Sequence, residues 1–318
     1  MRFEIIKKIK NSFPYFSLIF FLFLIHNFYS NNTSDFLFLS NFRFTNILII
    51  ITLSFFYLVT EAVVLKKIAK YFGKDLNLLT SFFVINTTYL FNTFVQFSGL
   101  GFRAYFLKKI YNIKISNFLI FSLFVVLIEF FTFSSIGSIF LIFLDIFSYN
   151  IEISKFSKFI IYFINILSLF IFLFHEKIYF FTIKFFNLKD FGIIKKISFF
   201  YKQFKKKKLK IFLLNFIFIF FIQFFLLFLI FIVCASIFRS HNLISLSIIA
   251  SIATDFSFIF ALTPYAIGIS ETFVYFISSG MGVTLAQVLF LSNVFRLGTL
   301  CIYVIIGPIY FYFFAKKL

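Results

Sequence analysis

The chain has 318 residues, 62% of them hydrophobic and only 13% charged, with a mean hydropathy of +1.05. Soluble domains are about a quarter charged, so a soluble fold is excluded. The net charge of +19 does not mark a nucleic-acid surface, because the basic residues lie mostly in short loops between apolar runs, where they orient a chain in a bilayer.

The first apolar run, Ser12–Phe28, follows Arg2, Lys7, Lys8 and Lys10. It resembles a signal peptide but lacks a small-residue cleavage site, and further spans follow, so it reads as a retained helix leaving the cytoplasm. Thr45–Leu65 returns and delivers Lys66, Lys67, Lys70 and Lys74. Leu78–Phe97 is again long and apolar, but it breaks at Ser98-Gly99-Leu100-Gly101 and is followed by Arg103 and then Lys108, Lys109 and Lys114. Both flanks of this segment are basic, so it crosses an even number of times. Only its first arm has the length and hydropathy to cross, and a re-entrant hairpin from the cytoplasmic side is expected.

Leu119–Leu144 then exits and Phe159–Phe174 returns. The loop 177–210 is basic and interleaved with Ile178, Phe180, Phe181, Phe185 and Phe186, the pattern of an interfacial segment on an anionic leaflet or of a plain positive-inside loop. Ile211–Phe238 exits once more. Leu243–Leu262 breaks through Thr263-Pro264-Tyr265-Ala266-Ile267-Gly268 and delivers Glu271. The arm that follows, 269–279, covers only about 16 Å and is too short to span. A second re-entrant hairpin, inverted relative to the first, is expected. Leu285–Phe314 returns to Lys316 and Lys317. This path leaves Arg43, Lys155, Lys158 and Arg239 outside, puts Arg103 and Arg296 in the membrane, and keeps the rest of the 30 basic residues cytoplasmic. The expected molecule is a single all-α domain over 1–318 in the inner membrane, with about six full spans, two opposed hairpins and both termini cytoplasmic.

Backbone or charge left unpaired in hydrocarbon costs several kcal/mol, so such breaks persist only where protein or water surrounds them. On the first arm Thr88, Asn92 and Gln96 recur every four residues, with Thr93 beside them, and so share one helix face. On the second arm Ser247, Ser251, Thr254 and Asp255 do the same, beside the small Ala250 and Ala253. Such residues serve as interhelical hydrogen-bond glue or as the lining of a polar site. Arg103 is followed 26 residues later by Glu129, and Glu271 is followed 25 residues later by Arg296, the same layout with the signs exchanged. Two buried pairs, or one central quartet, would hold the hairpins without net charge. Such pairs either lock the two halves or present Arg103 and Arg296 to an anionic headgroup, a ligand for which the guanidinium fork is well shaped. Broken helices in inverted halves are a transporter arrangement.

No metal or cofactor site is expected: His26, His175 and His241 are scattered, Cys234 and Cys301 stand apart in apolar runs, and no metal, nucleophile or phosphate-loop motif occurs.

The run Ser98-Gly-Leu-Gly-Phe-Arg-Ala-Tyr-Phe-Leu-Lys-Lys-Ile-Tyr, Glu129, the break Thr-Pro-Tyr-Ala-Ile-Gly-Ile-Ser-Glu271 and Arg296 together resemble the transmembrane family of lysylphosphatidylglycerol synthases, in particular its flippase-like half. The first break departs from the common pattern, lacking the proline often found ahead of the glycine. The resemblance implies a helical membrane domain that moves a lipid between leaflets. Members that make lysyl-lipids carry a separate soluble transferase domain; the sequence ends at Leu318 without one, so aminoacyl transfer is not expected. The leading expectation is therefore a flippase for an anionic lipid, with Arg103 and Arg296 on the headgroup, Glu129 and Glu271 holding those arginines, and Asp255 the candidate for proton coupling. The alternatives are a membrane-embedded transferase or accessory subunit acting on a lipid-linked glycan beside a separately encoded partner, and a non-transporting scaffold that recruits a partner through the lysine loop.

Overall fold

The computed structural model describes residues 33–95, 97–146, 208–238, 243–259, 269–278 and 283–315, together with short stretches between 158 and 170. The expected span 12–28, half of 159–174, the bulk of the basic loop 177–210, Gln96 and the second break at 260–268 lie outside the described residues.

After a short 3₁₀ helix, Thr33–Asn41, the described helices are α1 (Phe44–Tyr71), α2 (Leu78–Phe94), α3 (Ser98–Tyr111), α4 (Ile115–Ile146), α5 (Lys208–Ile237), α6 (Leu243–Ile259), α7 (Ile269–Ser278) and α8 (Leu285–Ala315). The described residues contain no strand. Among the described residues, four stretches are long and apolar enough to cross a membrane: Phe44–Tyr71, Ile115–Phe143, Leu213–Ile237 and Leu285–Tyr310. The protein is an all-helical, multi-pass membrane protein. Helix α1 runs six residues past the expected Leu65 and takes in Lys66, Lys67 and Lys70. Lysine is a good helix former, its stem packs along apolar surface while the ammonium reaches out, and its charge suits a helix C-terminus.

Ring contacts and one hydrogen bond define the two ends of the bundle. At one end Tyr71, beyond which α1 stops, lies 4.6 Å from Phe121 near the start of α4, and Phe121 lies 6.5 Å from Phe216 near the start of α5. At the other end the Asn41 amide donates to the Ile237 carbonyl at 3.4 Å, Phe38 meets Phe238 at 4.8 Å, and Phe42 meets Phe290 of α8 at 5.4 Å. Helix α2 begins at the first end and α6 at the second.

Each then turns back. In the first pair Thr88 and Asn92 of α2 face Arg103 and Gly99 of α3. In the second, α7 runs antiparallel to α8: Glu271 lies against Asn293 and Arg296, and Val274 shares a small apolar cluster with Val288, Ile249 and Ala253. At 17 and 14 residues, α2 and α3 reach roughly 26 and 21 Å. Helices this short fall below the ~30 Å hydrocarbon core. The two segments double back from opposite ends of the bundle.

Lipid tails are as apolar as leucine, so close packing rather than water exclusion holds these helices together. Small residues accordingly line the contacts. Ser247, Ala250, Ser251 and Ala253 of α6 are all fully buried, and a methyl group added at Gly298 of α8 would run into the Ser54 hydroxyl of α1.

Candidate functional site

The tip of the first hairpin is built without proline. Asn77 caps α2 by accepting from the Leu79 amide at 3.1 Å. At the tip Phe97 takes a left-handed conformation, φ 63°, a conformation that costs a residue with a Cβ roughly 1–2 kcal/mol. The Asn92 side-chain oxygen then accepts from the Gly99 amide at 2.8 Å and satisfies one of the open donors at the start of α3. Gly99 sits so close to α2 that any Cβ there would meet the Thr88 carbonyl and methyl group. One turn further, Arg103 donates from Nε to the Thr88 hydroxyl at 3.0 Å, while that hydroxyl donates to the Val84 carbonyl at 2.7 Å.

The expected pairing of Arg103 with Glu129 does not form an ion pair: among the described residues, the only group Arg103 bonds is Thr88, through Nε. Arg103 and Glu129 instead belong to a wider group. Glu61 of α1, Glu129 of α4 and Asp255 of α6 lie within electrostatic reach of one another, Arg103 reaches Glu61 and Glu129, and Tyr57 of α1 and Tyr89 of α2 share the same field. Glu61 accepts from the Gln223 amide of α5 at 3.0 Å. Asp255 is buried, and its Oδ2 has no hydrogen-bond partner. Five helices and the tip of the first hairpin thus converge on one polar interior, with Arg103 five residues beyond one hairpin tip and Asp255 four residues before the end of α6.

The second pair is a closed unit. Arg296 Nη1 donates to Glu271 at 2.6 Å and to the Asn293 side chain at 3.0 Å, and Nη2 donates to the Ser270 hydroxyl at 2.7 Å. Asn293 also donates to Glu271 at 3.2 Å. Both charged residues are buried. Their position fastens α7 to α8 immediately after the second break.

The remaining sequence-level candidates divide. Ser247 and Ser251 spend their hydroxyls on the carbonyls of Leu243 and Ser247, one turn back in their own helix, at 2.7 Å each. Thr93 does the same toward Tyr89 at 2.9 Å. These are packing positions rather than polar lining. Gln96 lies outside the described residues. Sequence reasoning missed Glu61, Gln223 and Tyr57 as a group. The one available signal was a carboxyl deep in the apolar run of α1, with Tyr57 one turn before it.

No curated protein and no solved structure matches the chain. A family model does, over residues 14–307, which takes in both hairpins and every charged residue of the two clusters. With broken helices, Arg103 and the Glu271–Arg296 pair where the resemblance places them, the chain belongs to the family described as the lysylphosphatidylglycerol synthase TM region.

Proposed function

We propose that the protein moves an anionic lipid between the leaflets of the inner membrane, with Arg103 binding the headgroup phosphate and both termini in the cytoplasm. The observation that carries this reading is the state of Arg103. It is partly buried at the tip of a re-entrant hairpin, its Nε is anchored on Thr88, and neither Nη nitrogen makes a hydrogen bond among the described residues. A guanidinium fixed at one edge and open at the other is suited to a phosphodiester oxygen pair. Arg296 is spent on Glu271, Asn293 and Ser270, so its part is to hold the second hairpin. Membership of a flippase-like family and the two opposed hairpins support the same reading.

The test uses purified protein in phosphatidylcholine vesicles with a minority of fluorescently labelled phosphatidylglycerol, read by quenching of the outer leaflet. Arg103→Gln is expected to slow exchange about ten- to a hundredfold, the weight of one charge-assisted contact. Exchange at the wild-type rate in that variant overturns the role of Arg103.

A further inference from the structure

The charge balance around Arg103 is unequal. Within electrostatic reach of it are Glu61 of α1, Tyr89 of α2 and Glu129 of α4; Asp255 of α6 and Tyr57 of α1 interact with those carboxyl groups, and Gln223 of α5 is the uncharged neighbour bonded to Glu61. Among the described residues, one guanidinium therefore faces Glu61 and Glu129, and Asp255 adds a third carboxyl group that interacts with both, within a bundle surrounded by hydrocarbon. Carboxylates in such a setting without a counter-charge take protons instead. Among the described residues no group of three His, Cys, Asp or Glu is arranged to hold a metal ion.

A second observation comes from hydrogen bonding. Asp255 Oδ2 and Gln223 Oε1 are both buried oxygens without a donor among the described residues, in residues only 5% and 0% exposed. Buried acceptors without donors are costly, and a proton carried by a carboxyl group is the donor such a site lacks.

We propose that Glu61, Glu129 and Asp255 form a proton-exchange site that couples one proton to each anionic headgroup moved. The proposal rests on the reading of Arg103 as the headgroup ligand. With no lipid bound, Arg103 neutralises one carboxylate and the other carboxyls keep their protons. When a phosphodiester takes the guanidinium, that carboxylate loses its counter-charge and takes up one proton. When the headgroup leaves, the proton leaves with it. One negative charge and one proton enter and depart together, so the charge of the site never changes. Movement is electroneutral, follows a pH gradient and ignores the membrane potential.

The experiment uses the same phosphatidylglycerol vesicles with an imposed pH difference, and separately with a potassium diffusion potential. The labelled lipid is expected to accumulate on the alkaline side by about tenfold per pH unit, the ratio that one coupled proton dictates, and to stay even under the potential alone. Lipid that exchanges but remains even under the pH difference, or that follows the potential, overturns the coupling and leaves the transport reading standing. If no lipid moves at all, the transport reading falls, and a second measurement decides the coupling by itself. Dihexanoyl phosphatidylglycerol is added to the detergent-solubilised protein in weak buffer with a pH indicator. Uptake of about one proton per chain, lost when Glu61→Gln and Glu129→Gln are combined, supports the site; no uptake in the wild type, or unchanged uptake in that double variant, overturns it.

Discussion

Arg103 and Arg296 look alike in the sequence, each a lone arginine in an apolar setting with a glutamate about 25 residues away, and the tertiary structure gives them opposite roles. Arg296 is surrounded by Glu271, Asn293 and Ser270, whereas Arg103, among the described residues, bonds one hydroxyl through Nε. Removing one member of a buried, hydrogen-bonded pair strands the other charge and costs about 3–5 kcal/mol. Glu271→Gln and Arg296→Gln are therefore each expected to lower the melting temperature in detergent sharply, and the double variant to lose much less than the sum of the two. A double-mutant cycle in thermal denaturation measures this; additive losses would show that the pair does not act as a unit. Arg103→Gln, which removes the Thr88 contact and a counter-charge near Glu61 and Glu129 but breaks no direct ion pair, is expected to reduce transport while lowering the melt less than Glu271→Gln or Arg296→Gln does.

The first hairpin is set by three small choices at its tip. Phe97 accepts a left-handed backbone, Asn92 accepts the Gly99 amide, and Gly99 lets α3 close onto Thr88. The contact at Gly99 is with backbone as well as side chain, so a methyl group there cannot be absorbed by rotating a rotamer. Gly99→Ala is expected to destabilise by roughly 1–3 kcal/mol, the range for overpacking, and to move Arg103 off Thr88, so that stability and lipid exchange fall together. Gly101, with open space at the position of a Cβ, is the internal control: Gly101→Ala should leave the melt unchanged or slightly raised, because alanine favours the helix. The break itself was legible as glycines interrupting an apolar run. The replacement of the missing proline by a left-handed Phe97 was not, since nothing in the residue type announces a positive φ.

Across the whole molecule the two hairpins stand in opposite senses, and this has a direct readout. In a background without Cys234 and Cys301, single cysteines at Asn77 and at Leu285 flank the open ends of the first and second hairpins. Membrane-impermeant thiol reagents are expected to label them from opposite sides of intact vesicles. Labelling of both from the same side would overturn the inverted arrangement. Much of this architecture was readable in advance. Apolar runs of membrane-spanning length, loops sorted by basic charge and breaks at glycine are consequences of local composition, because hydrocarbon penalises every exposed charge and backbone group one segment at a time. By itself the sequence thus determined the membrane class, the spans α1, α4, α5 and α8, and the two broken segments. Only the tertiary structure decided how the charges combine. Glu61 joined the site because α1 turns it toward Gln223 of α5, Glu129 reached Asp255 as well as Arg103, and the symmetric pairing suggested by spacing gave way to one closed pair and one open, acid-rich group. The reason is geometric: spacing along a helix fixes which face a residue occupies, but which helix that face meets depends on packing among segments distant in sequence.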